Sequence, residues 1–273
     1  MNKHNFGITT VGERQLNMET MDNERFIIKN FKLIPSRKIA YFGNFFHCFR
    51  IETLIKSPLF SKSWIDTSSK SGTPPDFHNN KHKIMMDVMR IDDCINERNG
   101  NHVANSFQKE NNYMRNHMGK NYKKKHNASL CFIADTKNNE DFNFIGYLNN
   151  FERVLMNHSN KVNSYKNNYP KCKNCILFVC DESNVYVQLT DKDDLKRKNP
   201  INKFYPHNCF IDSKFLNIIK NVNAEYVVWM GRWKSLLING KQIKMPQAAI
   251  YETKHLKTKG FEYNHDLMFK VVE

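Results

Sequence analysis

Short apolar runs in the second half of the chain constrain its fold most strongly. CILFVC occupies residues 175–180 and YVVWM occupies residues 226–230. Both runs lack polar alternation and are short for a helix, which is typical of strands buried on both faces of a parallel sheet. SLCFIAD at 129–135 and QAAIYET at 247–253 predict further strands, and VYVQL at 185–189 is expected to pair beside the first run.

Helical segments are predicted between these strands. Residues 141–165 carry apolar side chains on one helical face, and residues 214–222 predict a second, shorter helix. Apolar strands that alternate with helices predict an α/β fold with a largely parallel central sheet and helices on both faces. Asn239-Gly240 predicts a hairpin turn, so we expect antiparallel additions near the C-terminus.

The first half of the chain is less regular. RFIIKNFKL at 25–33 predicts a strand, whereas residues 39–54 fit either a strand or a helix. Ile and Val recur with a 3.6-residue period between Lys81 and Ile95, which predicts a helix there. Asp76, in the PPD tripeptide just before this segment, is interpreted as the helix cap.

Composition bounds the domain organisation. Hydrophobic residues make up 40% of the 273 residues, enough for a substantial core. Residues 1–24 are polar and predict a flexible arm, and 25–273 predict a single α/β domain with a polar basic insert at about 98–128. Neither G-x-G-x-x-G nor G-x-x-x-x-G-K-[ST] occurs, which disfavours Rossmann dehydrogenases and nucleotide-driven motors.

Two further absences favour a cytoplasmic protein. The N-terminus lacks the apolar region of a secretory signal, and no window approaches the roughly 18 apolar residues of a membrane span. The seven cysteines are an odd number and are scattered, which is typical of free thiols in a reducing compartment.

Acidic residues follow three of the predicted strands where each strand ends. Asp135 ends one strand, Asp181 and Glu182 end the next, and Glu252 ends the last. The carboxyl ends of parallel strands meet at one edge, and clustered carboxylates repel unless a divalent cation balances them. These residues therefore predict a site for Mg²⁺ or Mn²⁺. Asp87, at the border of the apolar helical stripe, can either reach into this site or pair on the surface with Arg90, three residues away, and the surface pairing is slightly favoured. The alternative is that acids at strand ends are solvated.

The segment IYETK at 250–254 adds a lysine to this pattern. Glu252 and Lys254 stand two residues apart, so on a strand they project to the same side. This spacing resembles the E-x-K element of the PD-(D/E)XK superfamily, the restriction endonuclease-like nucleases. The resemblance implies an αβββαβ core, Mg²⁺ and cleavage of phosphodiester bonds. It implies Glu252 as a metal ligand, Lys254 as the catalytic lysine, Asp181 or Asp135 as the family's aspartate, and Asp87 as the acid on the preceding helix.

Two basic segments predict contacts with nucleic acid, and the net charge of +15 also favours anionic partners. Residues 111–126 interleave tyrosines, which stack on bases, with cations that neutralise phosphates. GRWKS at 231–235 follows a predicted apolar strand. The predicted nucleic-acid-binding residues are Arg115, Lys120, Tyr122, Lys123, Lys124, Lys125, Arg232 and Lys234. The alternatives are a solvated basic loop and a hairpin that Trp233 anchors by packing.

Cysteine and histidine residues in the second half of the chain are candidates for a structural zinc site. Cys172-x-x-Cys175 needs two more ligands, and His207 with Cys209 are the nearest candidates. Because Cys175 begins an apolar strand and His-x-Cys is an uncommon spacing, we favour buried thiols.

Together these features favour a metal-dependent nuclease that hydrolyses phosphodiester bonds, in a setting such as defence or mobile-element biology. A non-catalytic protein that binds nucleic acid or another partner is the alternative. An enzyme that acts on a small phosphorylated molecule is a third hypothesis.

Overall fold

The computed structural model describes residues 8–9, 24–67, 75–93, 143–190, 204–231, 237–238, 241–242 and 245–270. The helices are α1 (Glu24–Lys32), α2 (Phe45–Lys56), α3 (Phe60–Ser63), α4 (Phe144–Ser159), α5 (Val162–Asn168) and α6 (Ser213–Lys220). The strands are β1 (Ile8–Thr9), β2 (Ile39–Phe42), β3 (Ile65–Asp66), β4 (Phe77–Asn79), β5 (Ile84–Ile91), β6 (Asn174–Asp181), β7 (Tyr186–Leu189), β8 (Phe204–Pro206), β9 (Tyr226–Met230), β10 (Leu237–Ile238), β11 (Lys241–Gln242), β12 (Ala248–Glu252) and β13 (Met268–Lys270).

A seven-stranded mixed sheet has the order β2-β12-β9-β6-β5-β4-β3. Strands β5, β6 and β9 are mutually parallel, while β12 runs antiparallel to β9 and parallel to β2. Strand β4 pairs antiparallel with both β5 and β3. Strands β1-β10-β11 and β13-β7-β8 form two small antiparallel sheets. The α/β class is therefore confirmed, but the sheet is mixed, and its parallel part is its centre.

Side chains of the central strands alternate between two buried clusters. Ile176 and Phe178 of β6 belong to a cluster that also contains residues of α1, α2 and α3. Leu177 and Val179 belong to a second cluster, with residues of α4, α5 and α6. All four side chains are 0% exposed. Burial on both faces explains why the sequence of β6 is continuously apolar.

The prediction of a strand over residues 25–33 is wrong, because this segment forms α1. The buried side chains of Ile27, Ile28 and Phe31 have the spacing of one helical stripe, not the alternation of a strand. The short apolar run satisfies both patterns, and packing against the sheet selects the helix.

The prediction of a helix over Lys81–Ile95 is also wrong, because residues 84–91 form β5. Almost all of β5 is buried, so its side chains are apolar at consecutive positions, and spacings of three and four residues occur among them without a helix. Asp76, predicted as a helix cap, therefore precedes strand β4 instead of a helix.

Other elements were predicted with the correct type. The runs at 175–180, 226–230 and 247–253 form β6, β9 and β12, and 214–222 corresponds to α6. Strands β10 and β11, which flank Asn239-Gly240, pair antiparallel as expected.

Several boundaries and pairings differ from the predictions. The undecided segment 39–54 contains both β2 and α2, and 141–165 contains α4 and the start of α5. The segment at 185–189 forms β7, but it pairs with β8 and β13 rather than with β6.

Parts of the predicted organisation lie outside the described residues. These are the strand at 129–135 and the basic insert at 98–128. Within the predicted N-terminal arm, Ile8–Thr9 forms β1 and pairs with β10. None of the described helices is both long and apolar enough to cross a membrane.

The aromatic centre of one cluster provides a stability test. Phe215 of α6 is 0% exposed, and its ring lies 4.9 Å from that of Phe151 and 5.3 Å from that of Trp229. We expect Phe215→Ala to lower the free energy of unfolding by about 3–5 kcal/mol, because it leaves a cavity among packed rings. Urea unfolding measures the loss. Ile145→Ala on α4 is the control, since Ile145 is 61% exposed, and an equal loss in both variants would contradict the packing described.

Candidate functional site

The structure distributes the predicted acidic residues over three places. Asp181 and Glu182 lie at the C-terminal end of β6, and Asp87 lies in the middle of β5. Because β12 runs antiparallel to β9, Glu252 pairs with Tyr226 at the start of β9. Tyr226 pairs in turn with Ile176, near the start of β6. Asp181 lies five residues further along β6, so Glu252 and Asp181 are about 16 Å apart in the direction of the strands. The structure does not bring these two acids together.

Asp181 is a buried residue, and both of its carboxyl oxygens accept hydrogen bonds from other groups of the protein. Its Oδ2 accepts hydrogen bonds from Tyr147 Oη at 2.5 Å and Trp229 Nε1 at 3.0 Å. Its Oδ1 accepts from the backbone N–H of Ser183 at 3.0 Å and from the Ser183 hydroxyl at 2.7 Å. The residue is 0% exposed. These contacts indicate that Asp181 holds the end of β6 in place.

Glu182 and Lys254 also differ from the predicted arrangement. Glu182 Oε1 lies 3.4 Å from Arg90 Nη1, an ion pair between the ends of β6 and β5. Strand β12 ends at Glu252, and the chain continues as a 3₁₀ turn over Thr253–His255. Lys254 is exposed in this turn, so it does not share a strand face with Glu252.

The remaining predicted site residues lie outside the described part of the chain. They are Asp135, Arg115, Lys120, Tyr122, Lys123, Lys124, Lys125, Arg232 and Lys234.

Asp76 and Asp87 form a carboxyl pair on neighbouring strands. Phe77 of β4 pairs with Met86 of β5, and continuing this antiparallel register by one residue sets Asp76 opposite Asp87. The charge of Asp87 acts on the Asp76 carboxyl. Asp76 Oδ2 accepts a hydrogen bond from the backbone N–H of Val88 at 2.7 Å. Two carboxylates on neighbouring strands repel each other unless one of them keeps a proton.

The pKa of Asp76 identifies which carboxyl keeps that proton. Burial and the negative charge of Asp87 together raise the pKa of Asp76 to about 7, and the charge of Glu24 at the start of α1 adds to the effect. The hydrogen bond from Val88 opposes the rise but does not cancel it. Near neutral pH the pair therefore changes charge with little input of free energy, and a cation that binds it favours the doubly ionised form.

Two side chains from the helices that follow β5 hold Asp87 in place. His158 Nδ1, on α4, lies 2.6 Å from Asp87 Oδ2, and Tyr165 Oη, on α5, donates to the same oxygen at 2.9 Å. Asp87 is 3% exposed, whereas the His158 side chain is 27% exposed. The imidazole therefore connects the buried carboxylate to solvent.

Glu252 belongs to a different cluster at the opposite edge of the sheet. Its Oε1 lies 2.6 Å from His47 Nδ1, and its Oε2 lies 2.9 Å from His255 Nδ1. The possible ligand atoms of these three residues all lie within 4.8 Å of one another. Burial alone would raise the pKa of Glu252, but hydrogen bonds from His47, Asn44 N–H and His255 lower it below its ordinary value.

The residues weighed for structural zinc have other partners. Cys172 Sγ donates to Asn80 Oδ1 at 3.8 Å, and His207 Nε2 lies 2.8 Å from Asp212 Oδ2. Cys175 and Cys209 are buried. Burial raises the pKa of the Cys175 thiol, and the charge of Asp87 raises it further. These thiols are packed in the protein interior.

Sequence reasoning missed Asp76, His158, His47 and His255 as functional candidates. Asp76 carried a usable signal, because a strand at 84–91 places this aspartate one hairpin before Asp87. His158 and His47 carried no such signal, since their contacts join segments far apart in the chain, whereas His255 lies only three residues after Glu252.

Comparison of the chain with protein-family models, with curated proteins and with solved structures found no match.

A substitution at Asp181 tests whether this acid is structural. Asp181→Ala removes the acceptor of two buried donors, Tyr147 Oη and Trp229 Nε1, and each lost partner costs about 1–3 kcal/mol. We expect the free energy of unfolding to fall by about 3 kcal/mol in a urea titration. Glu152→Ala, at an exposed position of α4, is the control and should change it by less than about 0.5 kcal/mol. A stable Asp181→Ala protein would contradict the structural role.

The Asp76 carboxyl should make stability depend on pH in a defined window. Its folded pKa of about 7 exceeds its ordinary value of 3.8, so its contribution to stability is present below pH 3.8 and is lost as the pH rises to about 7. We therefore expect Asp76→Asn, which keeps an acceptor for Val88 N–H, to gain stability relative to the wild type across this window. Thermal unfolding between pH 4 and 8 measures the difference. A difference that does not vary with pH would show that the carboxyl is not perturbed.

Proposed function

We propose that the chain is a metal-dependent phosphodiesterase that cuts nucleic acid at the Asp76–Asp87 pair. The observation that carries the proposal is a carboxyl pair, half-buried at Asp76 and buried at Asp87, in which burial and the charge of Asp87 raise the pKa of Asp76 to about 7. Carboxylates forced together in this way are common at functional sites, because a bound cation or a reacting proton relieves the repulsion.

The ligand chemistry of the pair fits Mg²⁺ or Mn²⁺. Both are hard cations that prefer carboxylate oxygens. Displacing the proton of Asp76 leaves two oxygen anions on adjacent strands, and Glu24 supplies further negative charge nearby. When bound, the cation supplies positive charge that offsets the charge developing on the phosphate.

The order of elements around the pair supports the nuclease assignment. Strands β3, β4 and β5 pair consecutively as an antiparallel meander, α4 follows, and β6 then pairs parallel with β5. With α1 before them, these elements have the αβββαβ order of the PD-(D/E)XK superfamily, with β2, α2 and α3 inserted after α1. Pro75-Asp76 and Asp87 lie one hairpin apart, as the family pattern requires. Met89 stands where that pattern has lysine.

His158 is the residue best placed to act as an acid or base at the carboxyl pair. It would take the part that lysine has in the family pattern, where this chain has Met89. Its Nδ1 faces Asp87, so the carboxylate holds a proton on that nitrogen and leaves Nε2 as an acceptor. Because part of the ring is exposed, Nε2 can accept a proton from water near the pair. Tyr165 then keeps Asp87 oriented while the proton moves.

Nucleic acid is the proposed polymer because the charge of +15 favours polyanions and the described surface offers cations near the pair. Arg25, Lys29 and Lys32 of α1 line a groove of about 170 Å³ that also includes Phe60 and Trp64. These cations suit phosphates, and the buried rings of Phe60 and Trp64 form the apolar part of the groove. Glu24 begins the same helix, which links the groove to the carboxyl pair.

We also infer that helices cover both faces of the sheet and that the protein works in the cytoplasm. The first inference is supported by the division of the helices between the two buried clusters. The second is supported by the described cysteines, all of which are free and buried.

A cleavage assay tests the proposed function. Plasmid DNA, single-stranded DNA and RNA are incubated with the protein in Mg²⁺, in Mn²⁺ or in EDTA. We expect metal-dependent cleavage that falls roughly 100-fold or more in Asp76→Asn and in Asp87→Asn, because a bound cation contributes several kcal/mol to the transition state. Asp266→Asn, an exposed aspartate, is the matched control.

The other outcomes separate the rival functions. Salt-dependent binding of all substrates without cleavage would favour a non-catalytic nucleic-acid-binding protein. Cleavage that both variants retain would move the active site away from the pair. Hydrolysis of a small phosphodiester without cleavage of any polymer would favour a small-molecule enzyme.

A further inference from the structure

We propose that His47, Glu252 and His255 form a second site, for a divalent transition-metal ion of the Zn²⁺ class. Two imidazoles and one carboxylate converge there from two segments of the chain, the first turn of α2 and the end of β12 with the 3₁₀ turn that follows it. Three protein ligands of this kind leave a fourth position of a tetrahedral ion for water or an external ligand.

The carboxylate at the centre of this site is fixed by the backbone around it. Glu252 ends β12 and is 6% exposed. Gly43 has a φ of 112°, and a Cβ atom at this glycine would lie 2.8 Å from Glu252 Cβ. The backbone N–H of Asn44 donates to Glu252 Oε2 at 2.9 Å. The close approach and the hydrogen bond together hold the carboxylate at the start of α2, as an outer-shell donor holds a metal ligand.

Both histidines sit on anchored turns. Asn44 Oδ1 accepts from the backbone N–H groups of Phe46 and His47, which fixes the first turn of α2. On the other side, Lys220 Nζ donates to the carbonyl oxygens of Thr253 at 3.0 Å and Lys254 at 3.1 Å. These bonds fix the 3₁₀ turn that carries His255.

The ligand separations need little change to accept an ion. Zn²⁺ bonds of about 2.0–2.1 Å in a tetrahedron place ligand atoms about 3.3 Å apart. The imidazole Nδ1 atoms of His47 and His255 lie 2.6 and 2.9 Å from the carboxylate oxygens. Both imidazoles are 50% exposed, so they can move outward by about 0.4–0.7 Å while Glu252 stays in place. A neutral imidazole that binds the ion through Nδ1 then carries its proton on Nε2.

The donor set selects the class of metal. Imidazole nitrogen suits Zn²⁺, Cu²⁺, Fe²⁺ and Ni²⁺, whereas Mg²⁺ and Ca²⁺ prefer sites made only of oxygen. The site is also distinct from the carboxyl pair. It lies on β12, three strands from β5 in the sheet, and at the end of β9 opposite to Asp181.

Zinc titration of the full chain tests this site. The protein is stripped with EDTA, dialysed, and titrated with ZnCl₂ in a calorimeter without nucleic acid. We expect the wild type to bind Zn²⁺ saturably. The double variant His47→Gln/His255→Gln should lower the affinity for Zn²⁺ by more than roughly 10- to 100-fold, which is the typical loss when only an outer-shell partner is removed. His82→Gln is the control. It should bind Zn²⁺ like the wild type, and a millimolar excess of Mg²⁺ should not displace the zinc.

A second readout covers the case in which a variant loses its fold. Zn²⁺ should raise the melting temperature of the wild type and of His82→Gln, but not that of a folded double variant. Co²⁺ should give visible absorption bands that depend on both histidines. Absence of saturable Zn²⁺ binding by the wild type, or equal affinity in the double variant, would overturn the proposal and leave Glu252 as the acceptor of two ion-paired histidines.

Discussion

The buried carboxylate of Asp181 ties the end of the central strand β6 to three other parts of the chain. Its hydrogen-bond donors come from α4, from the neighbouring strand β9 and from the turn at Ser183. A carboxyl group at 0% exposure is tolerated only because hydrogen-bond donors surround it. This requirement fixes how α4 lies against β6 and β9. Since α4 also carries His158, the same constraint positions the imidazole beside Asp87.

The Asp76–Asp87 pair shows the opposite use of buried charge. At Asp181 four hydrogen bonds are donated to the two carboxyl oxygens, whereas at Asp76 burial and a second carboxylate raise the pKa of the carboxyl. The antiparallel pairing of β4 and β5 holds the two carboxyls together, so the repulsion cannot be relieved by moving apart. It can be relieved by a proton or by a cation. The sheet therefore provides the rigidity that a poised acid–base or metal site needs.

The sequence predicted the elements whose signal is local. Strands β6, β9 and β12 and helix α6 were identified from apolar runs and periodicity, because burial acts on consecutive residues. Prediction from the sequence failed at α1 and β5. In both, the apolar segment fits the helical period and the strand period, and packing in the folded protein decides between them. The direction of β12 was also beyond local patterns, since it depends on pairing with β9 and β2. That direction moves Glu252 to the opposite edge, so the expected grouping of Glu252 with Asp181 did not form.

The candidate site could be predicted only in fragments for the same reason. Asp87 and Glu252 were identified as metal-ligand candidates from their acidity and placement, but their partners come from distant segments. Asp76 was attributed to a cap because the following segment was taken as a helix, and correcting that segment restores the hairpin that joins Asp76 to Asp87. Hairpin partners are close in sequence, so this pairing was within reach. The contacts of Glu252 with His47, 205 residues away, were not.

The two proposed sites would divide metal ions by ligand chemistry rather than by affinity alone. A pair that offers only oxygen ligands accepts Mg²⁺ because that hard cation suits carboxylates and is abundant. The site with two imidazoles instead selects a transition-metal ion, because Mg²⁺ binds imidazole poorly. Separation by three strands of the sheet keeps the two cations from bridging to each other, so loading one site leaves the ligands of the other unchanged. A chain with both sites could therefore hold Mg²⁺ at the carboxyl pair and Zn²⁺ at the histidine site without exchange between the two.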